Sequence, residues 1–150
     1  MGTLDVSNVI LPSDPLAAVY QALVDRILLD VPRAVAVYAY GSRVRGGVHP
    51  KSDLDLALLL PHRQTIPPEV LLQLQGDLEA IAGVPAEISI LRPETQLVHC
   101  KEVVAHGVPI YVADKNALAV FEMQTLSSYA RFMQDRKPVI AAYVEERKHG

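Results

Sequence analysis

Cysteine is almost absent from the sequence. Cys100 is the only one in 150 residues, which excludes an internal disulfide framework and any cysteine-cluster zinc site. No apolar run reaches about 18 residues, so no membrane-spanning helix is expected. The opening Met1-Gly2-Thr3-Leu4-Asp5 lacks the basic start of a signal peptide, and a soluble, cytoplasmic protein is expected. An excess of positive charge is missing too: 14 Lys and Arg stand against 17 Asp and Glu, a net charge of -3. Stable nucleic-acid binding rests on a basic surface and is therefore not expected. Internal repeats, low-complexity tracts and a dividing linker are also lacking. The Gly-x-Gly-x-x-Gly and Gly-x-x-x-x-Gly-Lys patterns do not occur, which removes the dinucleotide-binding and P-loop readings.

What remains is an ordinary globular composition, half hydrophobic and 21% charged. Its length suits one domain over 1–150. Residues 1–13 are weakly patterned and read as a loose arm. Ser13 or Asp14 can cap a helix with Pro15 at its first position. Leu16, Val19, Leu23, Ile27 and Leu28 follow at helical spacing, and Val31-Pro32 ends the helix. Arg33 to Tyr40 reads as a buried strand, and a glycine-rich turn with Gly41, Gly46, Gly47 and Pro50 follows. Leu54 to Leu60 is a second apolar strand. Pro67-Pro68 opens a helix with Val70, Leu71, Leu74, Leu78 and Ile81 inward, and Gly83 stops it. Ala86 to Leu91 is a third strand. Pro93-Glu94 begins a helix ending at His106-Gly107, and Ile110-Tyr111-Val112 is a short strand. Residues 114–150 form a C-terminal helical tail with Leu118, Phe121, Tyr129 and Phe132 as its apolar stripe, kinked or split at Pro138. The fold class is α/β (α+β): a small mixed sheet flanked by helices.

The chemistry concentrates between Gly41 and Asp55. Alternation along a strand puts Asp53 and Asp55 on one face, about 6.6 Å apart at the backbone. Carboxylates that close repel unless a cation lies between them, and Mg2+ is a hard, oxygen-seeking candidate. Two such ions could clamp the attacking and leaving oxygens of a phosphoryl displacement. Glu87, the only acid inside the third strand, can complete the carboxylate set. Gly41 lets the backbone turn sharply, Ser42 offers a hydroxyl and an N–H to a phosphate, and Arg43 and Arg45 add positive charge suited to phosphate oxygens. Other candidates are weaker. His99, Cys100 and His106 have poor ligand spacing on one helix, His49 and His62 read as loop residues, and nothing marks Ser42 as a nucleophile.

Gly41-Ser42, ten residues, then Asp53-Leu54-Asp55 resembles the signature of the minimal nucleotidyltransferases of the polymerase-β-like superfamily. Arg45-Gly46 and Ser52-Asp53 fit the same pattern. Pro85-Ala86-Glu87-Ile88-Ser89-Ile90-Leu91 is similar to the family's third catalytic strand, and His106-Gly107-Val108-Pro109-Ile110-Tyr111 to its last one. The resemblance spans roughly residues 20 to 135 and departs at Glu87, where Asp is usual. It implies that Asp53, Asp55 and Glu87 hold two Mg2+ ions and that Gly41, Ser42, Arg43 and Arg45 grip ATP. It further implies an antitoxin, in a hetero-oligomer with a HEPN-domain RNase toxin, that transfers AMP to a toxin tyrosine. Two alternatives are a nucleotidyltransferase acting on a small molecule such as an aminoglycoside, and neutralisation by docking alone.

Overall fold

The computed structural model describes residues 14–45 and 52–149. The expected loose arm with Ser13, and the turn residues Gly46, Gly47, His49 and Pro50, lie outside the described residues. Among the described residues ten elements follow in order: a 3-10 turn (Ala17–Val19), α1 (Tyr20–Asp30), β1 (Ala36–Tyr40), α2 (Ser42–Arg45), β2 (Leu54–Leu59), α3 (Pro68–Ala82), β3 (Ala86–Ile90), α4 (Leu97–His106), β4 (Val108–Val112) and α5 (Lys115–His149). The strands form one sheet in the order β3-β2-β1-β4. β1 is antiparallel to both β2 and β4, whereas β2 and β3 are parallel. The parallel pair needs a long crossover, which α3 supplies.

Both faces of the sheet are covered. One carries α1 and α3, whose Leu23, Ile27, Leu74 and Leu78 pack on Val37, Leu56 and Ile88. The other carries α4 and the first half of α5, with Cys100, Val103, Leu118 and Phe121 on Tyr38, Ala57 and Leu59. Buried on both faces, the central strands read as continuous apolar runs rather than alternating ones. α1 and α3 are joined by Arg26, whose guanidinium meets Asp77 at 2.6 Å. The edge strand β3 is partly blunted, because the Ile88 N–H donates to Gln75 Oε1 of α3 at 2.9 Å.

Several expected boundaries move. The first helix is preceded by a 3-10 turn, because Asp14 caps the Leu16 N–H at 2.8 Å and α1 starts only at Tyr20. β1 begins at Ala36 rather than Arg33, since the chain is still turning after Pro32. Pro93-Glu94 does not open α4. The Thr95 and Gln96 N–H groups both donate to the Arg92 carbonyl, so Pro93 to Thr95 form a turn and the helix starts at Leu97. Ile81 is not inward but exposed, whereas Leu74 and Leu78 are buried; the helix ends at Ala82 with Gly83 as its expected stop, left-handed at φ 74°. Pro138 does not split the tail: α5 is one helix of 35 residues. Its stripe divides instead, with Leu118 and Phe121 buried, Tyr129 and Phe132 half-buried, and residues 133–148 exposed throughout.

Candidate active site

Three side chains stand in one row across the sheet. Tyr40 of β1 pairs with Asp55 of β2, and Asp55 pairs with Glu87 of β3. Register partners on neighbouring strands project from the same face, so the two carboxylates are side by side. Asp53 lies one step before β2 and is exposed, as is Glu87; Asp55 is half-buried between them. Burial, then Glu87, then Asp53 push the Asp55 carboxyl above the usual range, and Arg43 offsets only part of that.

Gly41 joins β1 to α2 with φ 83°. A Cβ at this position would collide with the Asp55 carboxylate, so glycine serves both the left-handed turn and the close approach. Ser42 is exposed at the first residue of α2. Its N–H lies at a helix start, where backbone donors lack intrahelical partners. Arg45 closes α2.

Arg43 takes a role different from the expected phosphate contact. Its side chain is about 1% exposed. Nη1 donates to Asp14 Oδ1 at 2.6 Å, Nη2 to the Ser52 carbonyl at 2.5 Å and Nε to the Asp53 carbonyl at 3.2 Å. The Tyr20 hydroxyl donates to the other Asp14 oxygen. The planar guanidinium fork is thus committed inward. It fixes the two residues that lead into β2 and so positions Asp53 and Asp55. Asp14 had no signal in the sequence beyond an N-cap, and Tyr20 had none.

A polar chain also lies beside the carboxylates. Ser89 Oγ is 2.9 Å from His99 Nε2 of α4 and 3.4 Å from the Tyr40 hydroxyl. The Tyr40 and His99 rings meet edge to face at 5.4 Å. Burial, and secondarily Asp55 and Glu87, raise the Tyr40 hydroxyl pKa against the opposing Ser89 hydrogen bond. Ser89 was findable: two residues beyond Glu87 on a strand, it shares that face. His99 was not, because its position depends on how α4 packs. Its helix neighbours lead elsewhere: Cys100 is buried, with its thiol pushed up to about 11, and His106 is exposed, 3.7 Å from Glu102. His62 is exposed in a turn.

Among the described residues no three His, Cys, Asp or Glu side chains are gathered closely enough to hold a metal ion. The donor chemistry of Asp53, Asp55 and Glu87 nonetheless fits a hard divalent cation. Their mutual repulsion, expressed at Asp55, is what such a cation would relieve. No described helix is long and apolar enough to cross a membrane.

The comparisons with known proteins agree with this fold. No curated protein matches the chain. Among solved structures, the crystal structure of a toxin–antitoxin with AMP-PNP superposes with a TM-score of 0.70 at 22% identity, over 83% of this chain and 98% of that one. A Shewanella oneidensis complex of tri-AMPylated HEPN toxin with MNT antitoxin gives 0.66 at 19% identity, over 83% and 94%. At these identities the likeness is one of fold. The family described as "Polymerase beta, Nucleotidyltransferase" matches residues 24–116, from within α1 to the start of α5 and including every residue of the row Tyr40, Asp55, Glu87. The chain belongs to the polymerase β nucleotidyltransferase family.

Proposed function

We propose that the chain is a magnesium-dependent nucleotidyltransferase that moves AMP from ATP onto a tyrosine of a HEPN-domain toxin and thereby acts as its antitoxin. The observation that carries this reading is the register of Asp55 with Glu87 beside the Gly41-Ser42 turn. It is supported by the family match and by structural neighbours that are a toxin–antitoxin with AMP-PNP and an MNT antitoxin in complex with a tri-AMPylated HEPN toxin.

Ser42, with the backbone N–H groups at the start of α2, would hold the triphosphate, and Arg45 would add charge at the same turn. Asp53, Asp55 and Glu87 would hold Mg2+, which when bound supplies charge neutralisation for the phosphates. Glu87 would take the proton from the acceptor hydroxyl. The tyrosine oxygen forms a bond to the α-phosphorus as the α–β bridging bond breaks, and pyrophosphate leaves. Positioning and electrostatics carry nearly all the catalysis in such a transfer.

The test mixes the purified protein, MgATP and a HEPN-domain protein from the same genome, and weighs the latter intact. A gain of one or more AMP masses, lost in Asp53→Asn, supports the reading. A tight complex without any gain would establish neutralisation by docking. Neither gain nor complex would redirect attention to small-molecule acceptors.

A further inference from the structure

A cleft of about 700 Å³ opens on the α4 side of β3, lined by Tyr40, Glu87, Ser89, Glu94, His99 and Phe132. We infer that this cleft is the acceptor subsite, and that it takes an aromatic, phenol-bearing side chain presented by the partner protein. The inference rests on the nucleotidyl-transfer reading above and adds to it the place and chemistry of acceptor binding.

Three observations carry it. The first is direction. In phosphoryl transfer the attacking and leaving oxygens lie roughly in line through phosphorus. The triphosphate end belongs to the Ser42 turn after β1, and Asp55 stands on β2, the next strand. The acceptor must then arrive from the far side, where Glu87 on the edge strand β3 faces the cleft.

The second is the character of the walls. Tyr40 and His99 meet edge to face at 5.4 Å, and Phe132 of α5 lines the same cleft. Such a cage suits a flat ring, since aromatic pairs prefer edge-to-face or offset contacts. The polar atoms gather at one place: Ser89 Oγ is held by His99 Nε2 at 2.9 Å, and the Tyr40 hydroxyl approaches it only to 3.4 Å. That long contact leaves the Tyr40 proton available to a guest hydroxyl. A phenol seated there presents its oxygen towards Glu87 while its ring touches the three aromatic walls.

The third is the contrast with another cavity. That one, of about 980 Å³, is lined by Val35, Leu60, His62, Ile90 and Val120 among others, and unlike the cleft does not include Glu87. A guest there would not meet the carboxylate that takes the proton.

In the transfer, the phenol oxygen bonds to the α-phosphorus, its proton passes to Glu87, and pyrophosphate departs with the electrons of the broken bond. Ser89 and His99 change no bond; they orient the phenol.

The test is steady-state AMP transfer by the full chain to a HEPN-domain protein from its genome, varying ATP and acceptor separately. Phe132→Ala and His99→Gln should each raise KM for the protein acceptor by roughly tenfold, the size expected for losing one aromatic or hydrogen-bonded contact. KM for ATP should stay within about twofold, and Phe132→Tyr should restore the acceptor KM. Thermal melts confirm that each variant folds. A rise in KM for ATP with the acceptor KM unchanged would assign the cleft to the adenine base and overturn the proposal. Unchanged values for both would overturn it equally. If the unsubstituted protein transfers no AMP, the reading of the function fails and the subsite with it; if it transfers AMP and the variants match it, the subsite alone fails.

Discussion

Asp55 combines two conflicting demands. It must be charged to hold a cation, yet burial and two neighbouring acids favour its neutral form. A carboxyl whose folded pKa is raised costs stability above that pKa, and the cost disappears as pH falls through it. In the metal-free protein, acidification through the raised Asp55 pKa towards the ordinary carboxylate range should therefore relieve this destabilisation at Asp55. Added Mg2+ should raise Tm at pH 7.5 and do so less as the pH falls, since protons and metal compete for the same oxygens. Asp55→Asn should leave Tm at or above the unsubstituted value while lowering AMP transfer by about a thousandfold or more. Calorimetry and intact-mass kinetics on one preparation check both halves. Arg43 makes the opposite case. Its ion pair with Asp14 has side-chain exposures of 1% and 0%, so Arg43→Met strands a buried carboxylate. We expect a loss of roughly 3–5 kcal/mol in urea unfolding, and reduced transfer in whatever fraction still folds, because the entry to β2 is no longer held.

Among the elements, the β1–α2 turn is the least tolerant. Gly41→Ala would meet both the left-handed backbone at φ 83° and the Asp55 carboxylate. The strain alone is of the order of 1–2 kcal/mol, and the collision displaces the Asp55 oxygen that would hold a metal. Transfer should fall by at least about a hundredfold with a modest drop in Tm, and a crystal structure of the variant should show Asp55 moved from its row with Glu87. α5 shows the reverse tolerance. Pro138 sits inside a continuous helix whose outer half is solvent-exposed, residues 133–148 without exception. Pro138→Ala should slow amide exchange around it without shifting the main unfolding transition, because that half adds nothing to the core's cooperativity.

Over the whole molecule, the features legible in the sequence are those set by local spacing. Gly41-Ser42 and Asp53-Leu54-Asp55 could be read because a tight turn and strand alternation act over a few residues. Glu87 could be read because it is the sole acid in its strand. Strand order could not: β2 pairs in parallel with β3 across a whole helix and antiparallel with β1. The role of Arg43 was hidden because its partner Asp14 lies 29 residues away. His99 was hidden because only the packing of α4 brings its ring to Tyr40. Proline misled twice. Pro93 looked like a helix start and Pro138 like a break, but in both places neighbouring hydrogen bonds and exposure outweighed the local rule.

α5 is 35 residues, about 52 Å as a helix, and only its first half rests on the core. An unsupported helical segment of some sixteen residues is marginal in water. In the isolated protein its peptide bonds should be the first that a protease reaches, trimming the chain while the sheet stays intact. Any protein that lies along that segment would close this route, and the chain's lifetime would then report whether its partner is present.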